Sequence, residues 1–160
     1  RKIKVSRPNR EECKDILRVY LKDGLPREHE DFDAMAEPFL DRLFSRSSSQ
    51  EVLVLTLRSG SNRKMYWNDF ISGAVIEGIM KRAKERAIER AITGETLSLT
   101  VEDLVVSLET EFKEGSLLPA ESNMEDWLQL LDVESKNVVR VRRPNESDKA
   151  TENTMRRSII

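Results

Sequence analysis

The sequence is poor in the residues from which most catalytic sites are built. Cys13 is its only cysteine and His29 its only histidine. A single cysteine excludes a disulfide framework and a cysteine-rich zinc site, and Cys13 lies on the apolar stripe of a predicted helix, where a buried reduced thiol is expected. His29 sits in the charged loop Arg27-Glu28-His29-Glu30. No Ser-His-Asp or Cys-His pairing can be built without it, so it is expected on the surface rather than in a site. The phosphate-binding pattern Gly-x4-Gly-Lys-Ser/Thr is absent as well. No apolar run approaches the roughly 20 residues of a membrane span, and Arg1-Lys2-Ile3-Lys4-Val5 is no secretory leader. The expectation is a soluble, cytoplasmic chain without a membrane partner. Aromatics make up 6% of the residues and are not interleaved with the basic ones. Neither a zinc-finger spacing nor an RNA-recognition signature appears, so no nucleic acid partner is expected.

What is present is charge and amphipathic period. The chain has 160 residues, 35% charged and 38% hydrophobic, enough for one ordinary domain or part of a larger one. Its net charge of -2 hides an asymmetry. Arg1, Lys2, Lys4, Arg7 and Arg10 open the chain without an acid, whereas Glu95 to Glu134 holds many acids and Lys113 as the only base. Such alternation suits charged faces that meet neighbouring subunits, and solvated helix surfaces produce it equally.

Residues 1–8 read as a strand closed by Arg7-Pro8-Asn9. Asn9 caps a helix with Glu12 at the capping-box position, and Cys13, Ile16, Leu17, Tyr20 and Leu21 form its apolar stripe up to Gly24. A second helix buries Met35, Phe39, Leu40, Leu43 and Phe44, with Pro38 in its early turns or at a kink. Two strands, Glu51–Arg58 and Arg63–Trp67, flank the loop Ser59-Gly60-Ser61-Asn62 as a hairpin. Val52, Leu53, Val54, Leu55 and Leu57 place apolar residues on both faces of its first strand, which predicts packing on each side. A long helix runs from Ser72 to Gly94, and another from the Thr100 cap, with Asp103 three residues on, to near Gly115. A short helix around Glu125–Leu128 and a strand Val138–Arg142 follow. Residues 143–160 have almost no apolar period and are expected to form a flexible tail. The fold class is mainly α with a small β component.

One local choice is not explained by helix chemistry. Ser72 is a good N-cap, and Ile71 and Ile76 suit a hydrophobic staple around it. Gly73 costs up to about 1 kcal/mol against alanine inside a helix. A glycine at a helix entrance admits close approach to the backbone, so either a neighbouring element or a ligand is expected there.

The order of "RKIKVSRPN", "EECKDILRVYL", "FISGAVIEGIMKRAKERAI" and "LTVEDLVVSLE" resembles the C-terminal part of an AAA ATPase. The resemblance begins at the last strand of the large nucleotide-binding subdomain and runs through the helical small subdomain, the lid. Ser72-Gly73-Ala74 is similar to the Ser-Gly-Ala opening of that family's sensor 2 helix, with Val75 where an Asp is usual. Within the family the likeness is greatest to the bacterial proteasome-activating, ring-forming ATPases called ARC or Mpa. They carry a hairpin at the place of residues 51–67 and an Asp-Phe-x-Ser-Gly-Ala entrance like Asp69 to Ala74. Lys81-Arg82-Ala83-Lys84, Leu118-Pro119 and Glu125-Asp126-Trp127 resemble their later motifs. The resemblance covers residues 1 to 142.

The resemblance implies an activity and its partners. The parent would be a hexameric, ATP-driven protein unfoldase whose Walker A, Walker B, Mg2+ site and arginine finger lie upstream. This segment would close over adenine, with Gly73 and Ala74 close to the base and Ile16 and Tyr20 on its other side. Alone, it would be inactive. Ile16 and Tyr20 serve core packing as well, being on the stripe with Cys13 and Leu17. Partners implied are further copies of the chain, a 20S proteasome core and proteins tagged with the small modifier Pup. Relatives end in Gln-Tyr-Leu, which docks between proteasome subunits, whereas this chain ends in Ser158-Ile159-Ile160, so Ile159 and Ile160 are weak docking candidates. Two other readings stay open: a non-catalytic helical interaction module, and an AAA remodelling ATPase not linked to a proteasome.

Overall fold

The computed structural model describes residues 7–22, 25–114, 128 and 137–144. The chain divides into two compact units, one made of Arg1–Ser45 and Trp67–Ser122, the other of Arg46–Tyr66 and Asn123–Ile160.

Among the described residues the first unit holds four helices: α1 (Arg10–Lys22), α2 (Phe32–Phe44), α3 (Gly73–Ile92) and α4 (Val101–Lys113). Their starts follow from short-range chemistry. Asn9 and Glu12 exchange side chain-to-backbone hydrogen bonds of 2.8 and 3.0 Å at the head of α1. Asp31 caps α2, and Thr100 with Asp103 forms a reciprocal capping box on α4. At the far end of α3, Gly94 takes φ +106 while its amide bonds to Ala91 and that of Glu95 to Arg90, a left-handed termination that glycine adopts without strain. Pro38 lies well inside α2, on its exposed side, and as a proline has no N–H to donate to the carbonyl of Ala34.

α1 packs on α2 and α3, and α4 packs on the same two helices. Cys13, Leu17, Met35, Phe39, Leu40, Ile76, Met80, Leu104 and Leu108 are among the buried residues of this core. Full burial of each such side chain contributes about 1.5–3 kcal/mol. Much of the acidic run is neutralised inside this unit. Glu109 pairs with Arg42, and Glu111 and Glu114 with Arg82.

The second unit contains an antiparallel sheet ordered β2-β1-β3, from β1 (Glu51–Leu57), β2 (Asn62–Tyr66) and β3 (Val138–Arg142). β1 is therefore central, and Leu53, Val54 and Leu55 are buried on alternate faces, as their unbroken apolar run predicts. Gly60 turns the hairpin at φ +83. The second hairpin strand ends one residue earlier than expected. Trp67 begins a 3-10 turn (Trp67–Asp69) of the first unit and stacks on Phe112, with centroids 4.9 Å apart and planes 6° from parallel. That aromatic contact draws Trp67 out of the strand.

Expected features at residues 1–6, Gly24, Gly115 and 145–160 lie outside the described residues. Of the short helix around Glu125–Leu128 only Leu128 is described, helical and buried.

Candidate functional site

The entrance of α3 is built around its cap. Ser72 holds an extended backbone, φ -144 and ψ 168, and its Oγ accepts from the Val75 amide at 3.3 Å. Ile71 and Ile76 on either side are buried, which fixes the angle at which the chain enters the helix. Gly73 and Ala74 are exposed. Their amides are the first of the helix and have no intrahelical acceptor.

Gly73 is not a packing glycine. A Cβ built there meets no described atom within 4 Å, and its φ is not one that favours glycine. Of the two explanations for a small residue at this place, a neighbouring element of the described chain is thus removed.

The other two candidates, Ile16 and Tyr20, lie on α1. Cys13, Leu17 and Leu21 point into the core, and Ile16 and Tyr20, one turn apart on the flank of that stripe, stay half-buried. The Tyr20 hydroxyl is raised above its ordinary value by partial burial, by the charge of Glu77 and by a hydrogen bond to it. Glu77 stands one turn beyond Gly73, so the Tyr20 hydroxyl of α1 lies near the first turns of α3. This link was not foreseen from the sequence, because no pattern connects a tyrosine late in one helix to a glutamate early in another.

The remaining candidates fall elsewhere. His29 is exposed. Cys13 is buried, and burial together with the charge of Glu12 pushes its thiol up to about 11, which suits core packing and not nucleophilic work. Among the described residues no group of three or more His, Cys, Asp or Glu side chains is placed to hold a metal. Ile159 and Ile160 lie outside the described residues. The entrance of α3 therefore offers exposed backbone and open space at Gly73.

Residues 8–159 match the family described as ARC, AAA+ ATPase lid domain. The chain belongs to this family. The lid domain is 33% identical over 162 aligned positions to a proteasome-associated ATPase of Frankia alni, covering 94% of this chain and 27% of that protein. A proteasome-associated ATPase of Beutenbergia cavernae is 33% identical over 152 positions, with 88% and 27% covered. An AAA ATPase forming ring-shaped complexes from Kocuria rhizophila is 32% identical over 139 positions, with 81% and 24% covered. The lid domain spans about a quarter of the length of these relatives. Its four capped helices with a small sheet are the mainly α fold expected from the sequence.

Proposed function

We propose that this chain is the nucleotide-responsive lid of a ring-forming, proteasome-associated AAA ATPase. The observation that carries the reading is the open space at Gly73, on a capped helix entrance beside the half-buried Tyr20. Adenine fits the residues present. Gly73 and Ala74 leave the backbone bare, and Ile16 and Tyr20 offer one aliphatic and one aromatic face.

In the full ATPase, the bound ATP supplies the phosphoanhydride whose cleavage drives the motor. Phosphate contacts, Mg2+ and the arginine finger belong to sequence outside this chain. The lid's own residues bind and orient the base, and the packed helices carry a change at the site outward as a body. By itself the chain is expected not to hydrolyse ATP, since the sequence holds no P-loop. The reading extends to a cytoplasmic homohexamer that unfolds Pup-tagged proteins for a 20S core.

Gly73→Leu tests the site. Nucleotide affinity of the full-length ATPase is expected to fall at least about tenfold, while the 160-residue chain keeps its thermal stability, because the new side chain enters open space. Unchanged affinity removes the adenine role. Loss of folding by the isolated chain removes the claim that the space is open.

A further inference from the structure

We propose, on the reading that adenine meets Gly73 and Ala74, that Trp67 is a positioning residue for that site: its aromatic stack fixes the approach to α3 and with it the place of the bare backbone. Trp67 is held from two helices. Its ring lies on Phe112 of α4, centroids 4.9 Å apart and planes 6° from parallel. The Arg42 guanidinium of α2 stands 5.5 Å from the same ring's centroid. Arg42 is itself fixed, donating to Glu109 of α4 from Nε at 2.9 Å and lying 2.6 Å from it through Nη2.

Burial alone does not ask for this arrangement. A leucine or valine would also remove apolar area from water there, because that effect has no direction. Stacked rings add a fixed plane, and an indole with two rotatable bonds passes the plane on to its own backbone.

From Trp67 the constraint reaches the site through residues 68–72. The Phe70 amide donates to the Trp67 carbonyl at 3.0 Å and closes the 3-10 turn, which packs on α2. Phe70 and Ile71 are buried. Ser72 then caps α3, and the Ile76 amide donates to the Ser72 carbonyl at 3.0 Å. None of these residues is glycine or proline. A closed turn, two buried anchors and a cap thus join the stack to Gly73. The candidate site residues lie on α1 and α3, so Trp67 adds the support of the two helices that contribute none of them. A group that binds against bare backbone needs that backbone within about 0.5 Å of its productive place. Loosening the stack should therefore weaken binding without touching a contact residue.

Steady-state ATP hydrolysis by the full-length ATPase tests the role. Trp67→Leu is expected to raise the KM for ATP about fivefold and to keep kcat within about twofold, since binding is weakened equally in ground and transition states. Mere loss of folded protein would instead lower kcat and leave KM alone. Trp67→Phe keeps a flat ring against Phe112 and should hold KM within about twofold of wild type. Phe112→Leu removes the stack from the α4 side; it should raise KM about threefold and decides the matter if Trp67→Leu fails to fold. Phe39→Leu, at a buried aromatic of α2 outside the stack, should leave KM unchanged. Unchanged KM in Trp67→Leu and Phe112→Leu, with affinity lost in Gly73→Leu, overturns the positioning role and leaves the adenine site standing. Unchanged values in all of these variants remove the site and the role together. An equal rise in Phe39→Leu also overturns the role, because the helices would then be loosened generally.

Discussion

Arg90 grips Asp103 through two hydrogen bonds, Nη2 to Oδ2 at 2.6 Å and Nε to Oδ1 at 3.3 Å, and so ties the last turns of α3 to the first turn of α4. The same arginine donates to Glu95 at 2.7 Å and to the Ser98 carbonyl at 2.9 Å, spanning the connection between the helices. Asp103 is only 2% exposed and also accepts from the amide and hydroxyl of Thr100. One carboxylate thus completes a cap and an interhelical bridge.

Asp103→Asn is expected to lower the stability of the chain by about 1–3 kcal/mol, since an amide cannot accept at both oxygens and sets a donor against Arg90 or Thr100. Urea unfolding of the two proteins measures it. An unchanged midpoint would show that the bridge contributes nothing beyond helix packing.

Acid should unfold the chain through this group and two others. Burial raises Asp103, but the hydrogen bonds from Arg90 and Thr100 outweigh it and hold the carboxyl below its ordinary value. Glu37 is held low by Lys14 and Arg10, and Glu109 by Lys113 and Arg42 against a smaller effect of burial. A depressed folded value means stability that is complete above the unfolded value and lost as pH falls toward the folded one. The unfolding free energy should hold steady from about pH 8 to 5.5 and drop below about pH 4.5, with a shallower drop in Asp103→Asn. A rise in stability between pH 6 and 4 would contradict the assignment.

Cys13 should be silent to thiol reagents in the folded chain. It is fully buried, and with the thiol pushed up to about 11 little thiolate forms near neutrality. Labelling by a chromogenic disulfide at pH 8 is expected to track global unfolding and to speed up with urea. Complete reaction within the mixing time in native buffer would place the thiol at the surface.

What the sequence makes legible is what neighbours in the chain decide among themselves. Asn9 with Glu12, Ser72 with Val75 and Thr100 with Asp103 all act within three residues, and each was readable at its proper place. The glycine exits at Gly60 and Gly94 were legible for the same reason. The start of α2 was less so, because Glu30, Asp31 and Asp33 are all acidic and only the backbone of Asp31 selects it as the cap. Contacts between distant segments stayed hidden: β3 beside β1, Trp67 on Phe112, Tyr20 at Glu77 and Arg90 on Asp103. For the candidate site, residue types at Gly73, Ala74, Ile16 and Tyr20 were readable, while the absence of a packing partner at Gly73 among the described residues required the fold.

Each unit is stitched from two stretches of chain, with the hairpin leaving one unit after Ser45 and the backbone returning at Trp67. β3 joins β1 only after some eighty intervening residues have been made, a long loop to close before that pairing is rewarded. During synthesis the hairpin must therefore wait with that edge of its central strand unfilled until Val138–Arg142 has left the ribosome. A gene truncated shortly before Val138 would leave that edge permanently bare, inviting strand exchange between molecules.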